Sequence, residues 1–186
     1  MTTPALTATD RAALLGIARG AILAHLGVAP APPLPAAGAL SEPRGAFVTL
    51  HVRGELRGCI GTFRPQGSLA STVARMAVAA ASDDPRFPPL RPGEIAELGV
   101  AVSVLGPPRP IADPRTVEIG RQGLLVSRGW NRGTLLPKVA VEHGWGAEEF
   151  LKHTCLKAGL PPRAWQEPDV MVEVFDADEF GEEAGA

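Results

Sequence analysis

Arg53-Gly54-Glu55-Leu56-Arg57-Gly58-Cys59-Ile60-Gly61 is the stretch on which the reading of the whole chain turns. Phe47 to Val52 before it reads as a strand, Arg53-Gly54 with Glu55 as a tight turn, and Leu56 to Phe63 as the return strand of a hairpin. Strand side chains alternate faces, so Arg57 and Cys59 are expected to point the same way, with Gly58 and Gly61 leaving bare backbone beside the sulfur. Interior glycine weakens a strand. It marks a bulge, or a place where a ligand or another backbone comes close.

Working outward, the stretch has an echo. Arg53-Gly54-x-x-Arg57-Gly58-Cys59-Ile60 is matched by Arg128-Gly129-x-x-Arg132-Gly133-Thr134-Leu135, and Phe87-Pro88-Pro89 by Leu160-Pro161-Pro162. Each proline pair precedes a valine-alternating strand, Val100-x-Val102-x-Val104 and Val170-x-Val172-x-Val174. Two matches in the same order at nearly the same offset predict a duplicated hairpin–helix–strand unit, with halves at 46–106 and 111–176. Only the first copy carries cysteine; threonine replaces it in the second.

The remaining elements follow from periodicity. Thr9 precedes an amphipathic helix over 9–26 in which Leu14, Leu15, Ala18, Ile22 and Leu26 recur at helix spacing, with Gly27 as its stop. A Pro- and Ala-rich extended connection occupies 29–45. Ser68 caps a helix from Leu69 to Ala81, and the prolines between Asp83 and Leu90 keep that segment extended. Leu124 to Ser127 and Arg132 to Leu136 form a second hairpin, Pro137 opens a short helix, and Ala147 to Ala158 forms another, closed by Gly159. Asp176, Asp178, Glu179, Glu182 and Glu183 make an acidic tail that is expected to fray.

Composition narrows the function classes. The 186 residues suit one domain, and a 45% hydrophobic share supports a real core. A formal net charge of −2 argues against a general nucleic-acid or anionic-membrane binder, which needs a basic surface. The N-terminus lacks the basic and apolar regions of a secretory signal, and no apolar run reaches the ~20 residues of a membrane span, so a cytoplasmic protein is expected. In that compartment Cys59 and Cys155 are expected as reduced thiols. Without a CxxC pair or an HExxH motif, neither a metal nor a cofactor is expected.

Several of these motifs resemble the AMMECR family, whose bacterial and archaeal members are called AmmeMemoRadiSam system protein A. They are L-R-G-C-I-G at Leu56 to Gly61, D-P-R-F-P-P-L at Asp84 to Leu90, V-S-V-L at Val102 to Leu105, R-G-x-L-L-P at Arg132 to Pro137 and C-x-K-A-G-L-P at Cys155 to Pro161. The resemblance spans Leu6 to Phe175, with one departure at Lys138, where the family pattern continues with glutamine. It implies a single α+β domain of two similar β/α units around one barrel-like, mainly antiparallel sheet with helices outside. It also implies a three-part system with a Memo-like protein and a radical-SAM protein as partners.

Cys59 is the sharpest chemical candidate. A cationic Arg57 on its face would favour the thiolate that acts as nucleophile; the plainer alternative is a small buried cysteine filling a tight sheet. His51 on the partner strand is a candidate base if the register brings it to Cys59. Asp84 can serve as a base or simply start a turn before Pro85. Arg57, Arg86 and Arg132, with Gly58 and Gly61, are candidates to bind a small anionic substrate. Cys155, with Phe150, Leu151 and Thr154, reads as core, and Trp130 as a partner contact or a cover for the sheet edge. Two functions fit: an enzyme or enzyme subunit acting at Cys59, and a non-catalytic interaction module for the same partners.

Overall fold

The computed structural model describes residues 5–182. Its elements are α1 (Ala8–His25), β1 (Ala46–Val52), β2 (Glu55–Thr62), α2 (Leu69–Ser82), β3 (Leu98–Leu105), β4 (Arg109–Pro110), β5 (Gln122–Arg128), β6 (Asn131–Leu135), α3 (Pro137–Glu142), α4 (Ala147–Lys157) and β7 (Met171–Gly181). The class is α+β, and the strand pairs are antiparallel. The chain folds as two units: the described residues through Leu105 together with those from Asp178 onward, and Gly106–Ala177.

In unit 1 the hairpin β1–β2 is extended by β3 on the other side of β1, which leaves β2 at the edge. The alternating residues Val48, Leu50, Val100, Val102 and Val104 are buried against Leu14, Ile22, Leu69, Val73 and Ala77 of α1 and α2. Each such fully buried aliphatic side chain contributes about 1.5–3 kcal/mol. The cap of α1 is Thr7 rather than Thr9. Its hydroxyl accepts from the Asp10 N–H while the Asp10 carboxylate accepts from the Thr7 N–H, a reciprocal pair that needs the acidic residue three positions on.

In unit 2, β5 pairs with β6 on one side and with β7 on the other, and β4 adds two residues along β7. Leu124, Val126, Val172 and Val174 pack on Phe150, Leu151 and Cys155 of α4. Each unit therefore contains a hairpin and a later strand that returns beside the hairpin's first strand, with one α-helix between them in unit 1 (α2) and two in unit 2 (α3 and α4).

The acidic tail does not fray from Asp176 as expected. β7 continues to Gly181, because Asp176 pairs with Arg109, Asp178 with Arg11 and Glu182 with Arg19, so its carboxylates are neutralised rather than mutually repelling. Glu183 lies outside the described residues. Among those described, no helix is long and apolar enough to cross a membrane.

Candidate functional site

The register of the first hairpin is set by an irregularity. Val52 pairs with Glu55 and His51 with Leu56, but Leu50 then pairs with Gly58, so Arg57 is the extra residue of a β-bulge. An unbroken ladder would put Gly58 opposite Thr49; the bulge puts Cys59 there instead. Gly58 consequently faces α2, where a Cβ would lie 2.1 Å from the Ala80 carbonyl oxygen, so only glycine lets the helix end come down on the strand. Cys59 points to the opposite face. Its sulfur lies 3.2 Å from Thr49 Oγ1, as side chains do in a non-hydrogen-bonded pair.

The backbone of Cys59 is held from the open side of β2. Its N–H points away from β1 and donates to Asp84 Oδ2 at 2.9 Å. Asp84 is almost wholly buried and also accepts from Arg86 Nε, Nη2 and backbone N–H, at 2.9, 2.7 and 3.1 Å. These bonds, led by that from the Arg86 guanidinium, hold its carboxyl far below the ordinary 3.8 against the pull of burial. Asp84 thus starts the turn before Pro85 and also caps an otherwise bare edge-strand donor. The hydrogen-bonded Asp84 carboxylate pushes the Arg86 guanidinium still further up from its ordinary value. The Arg86 side chain is 55% exposed, so the cation faces solvent beside a half-buried thiol.

The expected sharing of one face by Arg57 and Cys59 gives way to a different arrangement. Sitting in the bulge, Arg57 donates to both carboxylate oxygens of Glu94, at 2.8 and 3.1 Å, and to the carbonyls of Pro88 and Pro89, at 2.7 and 3.2 Å. Only 14% of its side chain is exposed. That fork ties the D-P-R-F-P-P segment along β2 and thereby seats Asp84 at Cys59.

Of the candidates named from sequence, the fold brings Cys59, Asp84 and Arg86 together. Gly61 lies under the Phe47 ring, where a Cβ would be 2.2 Å from the ring carbon, so its missing side chain accommodates an aromatic. His51 pairs with Leu56, not with Cys59. Arg132 belongs to unit 2, where it is exposed and pairs with Ser127. Cys155 is a buried free thiol on α4, pushed up by burial, and Trp130 at the turn of the second hairpin is fully exposed. Sequence reasoning missed Thr49 and Glu94. Only the bulge puts Thr49 opposite the cysteine; Glu94 carried a faint signal, three residues after Arg91, whose N–H it accepts.

The family model AMMECR1 matches residues 15–180. The chain belongs to the AMMECR1 family. A protein from Methanothermobacter thermautotrophicus is 50% identical over 146 residues, covering 75% of this chain and 76% of that protein. Protein PH0010 from Pyrococcus horikoshii is 44% identical over 182 residues, covering 91% and 88%. The crystal structure of that uncharacterized protein superimposes with a TM-score of 0.86 at 43% identity, covering 92% of this chain and 90% of that one. The fold of the chain is thus shared with that archaeal protein.

Proposed function

We propose that this AMMECR1-family protein binds, and processes at Cys59, a small anionic ligand as component A of a three-part system with a Memo-like and a radical-SAM protein in the cytoplasm. One observation carries the reading: the buried Asp84 carboxylate grips the Cys59 N–H and the Arg86 guanidinium at once, so a half-buried thiol and a half-exposed cation are held side by side. Arg86 engages Asp84 through Nε and Nη2, and its remaining donors are suited to a carboxylate or phosphate. Thr49 Oγ1 can donate to the sulfur as negative charge develops on it. Asp84, held as a carboxylate by Arg86, positions both groups rather than acting as a base. Arg57 fixes the loop, and Arg86 makes the ligand contact.

Alkylation with a matched pair of reagents tests this. Iodoacetate is anionic and iodoacetamide neutral, so Arg86 should raise the iodoacetate rate at Cys59 relative to iodoacetamide. Arg86→Ala should lower that ratio several-fold, Arg86→Lys should restore part of it, and Cys59→Ala should leave buried Cys155 unlabelled. A Cys59 inert to both reagents in the folded protein, or a ratio indifferent to Arg86, would sink the proposal. The fully exposed Trp130 favours a second reading, an interaction module for the same partners. Co-purification lost in Trp130→Ala and kept in Cys59→Ala would support that reading instead.

A further inference from the structure

β2 is an edge strand, and only part of that edge is covered. The D-P-R-F-P-P segment lies beside it as far as Cys59, whose N–H Asp84 accepts. From there onward the register with β1 is unbroken, Thr49 with Cys59, Val48 with Ile60, Phe47 with Gly61 and Ala46 with Thr62. Groups that face away from the partner strand recur at every second residue of an antiparallel pair. Since the Cys59 N–H points off the edge, the Cys59 carbonyl and both the N–H and the carbonyl of Gly61 do so as well. Among the described residues, none of these three groups has a hydrogen-bond partner. Such a row is a template for another strand unless something covers it. Here the cover stops at Cys59.

Cations stand at both ends of the uncovered stretch. Arg86 is at the Cys59 end, held to Asp84 through Nε and Nη2 with Nη1 uncommitted. At the other end, exposed Arg64 follows β2, and Arg75 of α2 donates to the side-chain and backbone oxygens of Gln66, both at 3.2 Å. Neither Arg64 nor Arg75 has a carboxylate partner among the described residues. An added strand therefore meets backbone donors and acceptors between positive charges, which suits an anionic peptide.

We propose that the anionic ligand is the carboxy-terminal segment of an extended peptide, paired antiparallel to the edge of β2 with its terminal carboxylate on Arg86; this rests on the reading of Arg86 as the ligand contact. The third residue from the peptide's end exchanges both hydrogen bonds with Gly61, and the last residue donates its N–H to the Cys59 carbonyl. Asp84 already fills the place where a further carbonyl would meet the Cys59 N–H, so the added strand ends there. The Arg86 guanidinium neutralises the terminal carboxylate beside that of Asp84.

Backbone amide NMR of the full-length protein tests this with acetyl-Thr-Val-Thr-Val, as free acid and as amide, because main-chain pairing makes few demands on side chains. The free acid should shift the Gly61 amide resonance and slow its hydrogen exchange, and should bind about tenfold more tightly than the amide. Arg86→Ala should abolish that preference. N-methylation of the last residue, or of the third from the end, should weaken binding, whereas N-methylation of the residue between them, whose N–H faces away from β2, should not. A Gly61 amide that neither peptide perturbs, equal affinity for acid and amide, or equal effects of inward and outward N-methylation would each overturn the proposal. Its failure is distinct from that of the Cys59 reading: an unperturbed Gly61 with an alkylation ratio that still depends on Arg86 removes the peptide alone, and a ratio indifferent to Arg86 removes the Cys59 reading itself.

Discussion

The two hairpins share the spelling Arg-Gly-x-x-Arg-Gly but turn at different residues. In β1–β2 the loop is Arg53-Gly54, both with positive φ, at 56° and 80°. In β5–β6 the loop is Gly129-Trp130, and only Gly129 is left-handed, at 57°. The first turn therefore comes one residue early relative to the shared spelling. The bulge at Arg57 takes up that residue, after which Gly58 lies opposite Leu50 as Gly133 lies opposite Val126. Both glycines then meet the C-terminal end of a later helix, Gly58 at Ala80 of α2 and Gly133 at Ala158 just after α4, where a Cβ would approach backbone to 2.1 and 2.4 Å. Glycine and helix end belong to the common scaffold; bulge, cysteine and the Asp84 latch belong to unit 1. Thr134, in the place of Cys59, instead donates to the Leu124 carbonyl at 2.9 Å.

If that division holds, the largest effects should be common to both hairpins. Gly58→Ala and Gly133→Ala should each destabilise by about 3 kcal/mol, because the new methyl group meets backbone that cannot rotate aside. Urea unfolding measures this, and a large cost at one site only would break the equivalence.

The next effect should be confined to unit 1. Asp84→Ala strands the Cys59 N–H and frees Arg86, and should cost about 2 kcal/mol, reduced from a fully buried pair because Arg86 is half exposed. Its pH dependence has a definite sign. The folded pKa of Asp84 is depressed, so the stability it contributes is fully present above the ordinary 3.8 and declines as pH falls below that value toward the folded pKa. The stability gap between the native chain and Asp84→Asn should therefore be widest near neutrality and narrow in acid. A gap that widened in acid would remove the ion pair from the account. Thr134→Ala, which touches no such latch, should cost about 1 kcal/mol, with no comparable acid sensitivity.

The smallest effects should separate the turns. Gly129→Ala places a side chain at positive φ and should cost about 1 kcal/mol. Arg53→Asn keeps a residue that tolerates this conformation and gives up only an exposed pair with Glu97, so the melting midpoint should hold or rise slightly. A fall at Arg53 comparable to that at Gly129 would mean that the Glu97 contact holds the turn.

Much of this was legible in the chain. Valine alternation marked β3 and β7, and 3.6-residue spacing marked α1, α2 and α4, because burying one face of a strand or helix imposes its period on the residues. Cys59, Asp84 and Arg86 were recognisable as chemistry-bearing residues. Their meeting was less so, because Asp84 reaches Cys59 across 25 positions of sequence through a loop whose course depends on Arg57, Glu94 and two proline carbonyls.

The sequence by itself determined the elements, the spelling of the two hairpins and the family, since these rest on local periodicity, turn chemistry and motifs. The tertiary structure alone decided which face Cys59 occupies. Strand side chains alternate, so one bulged residue reverses the facing of everything beyond it, and only the helix end packed on Gly58 selects between the two registers.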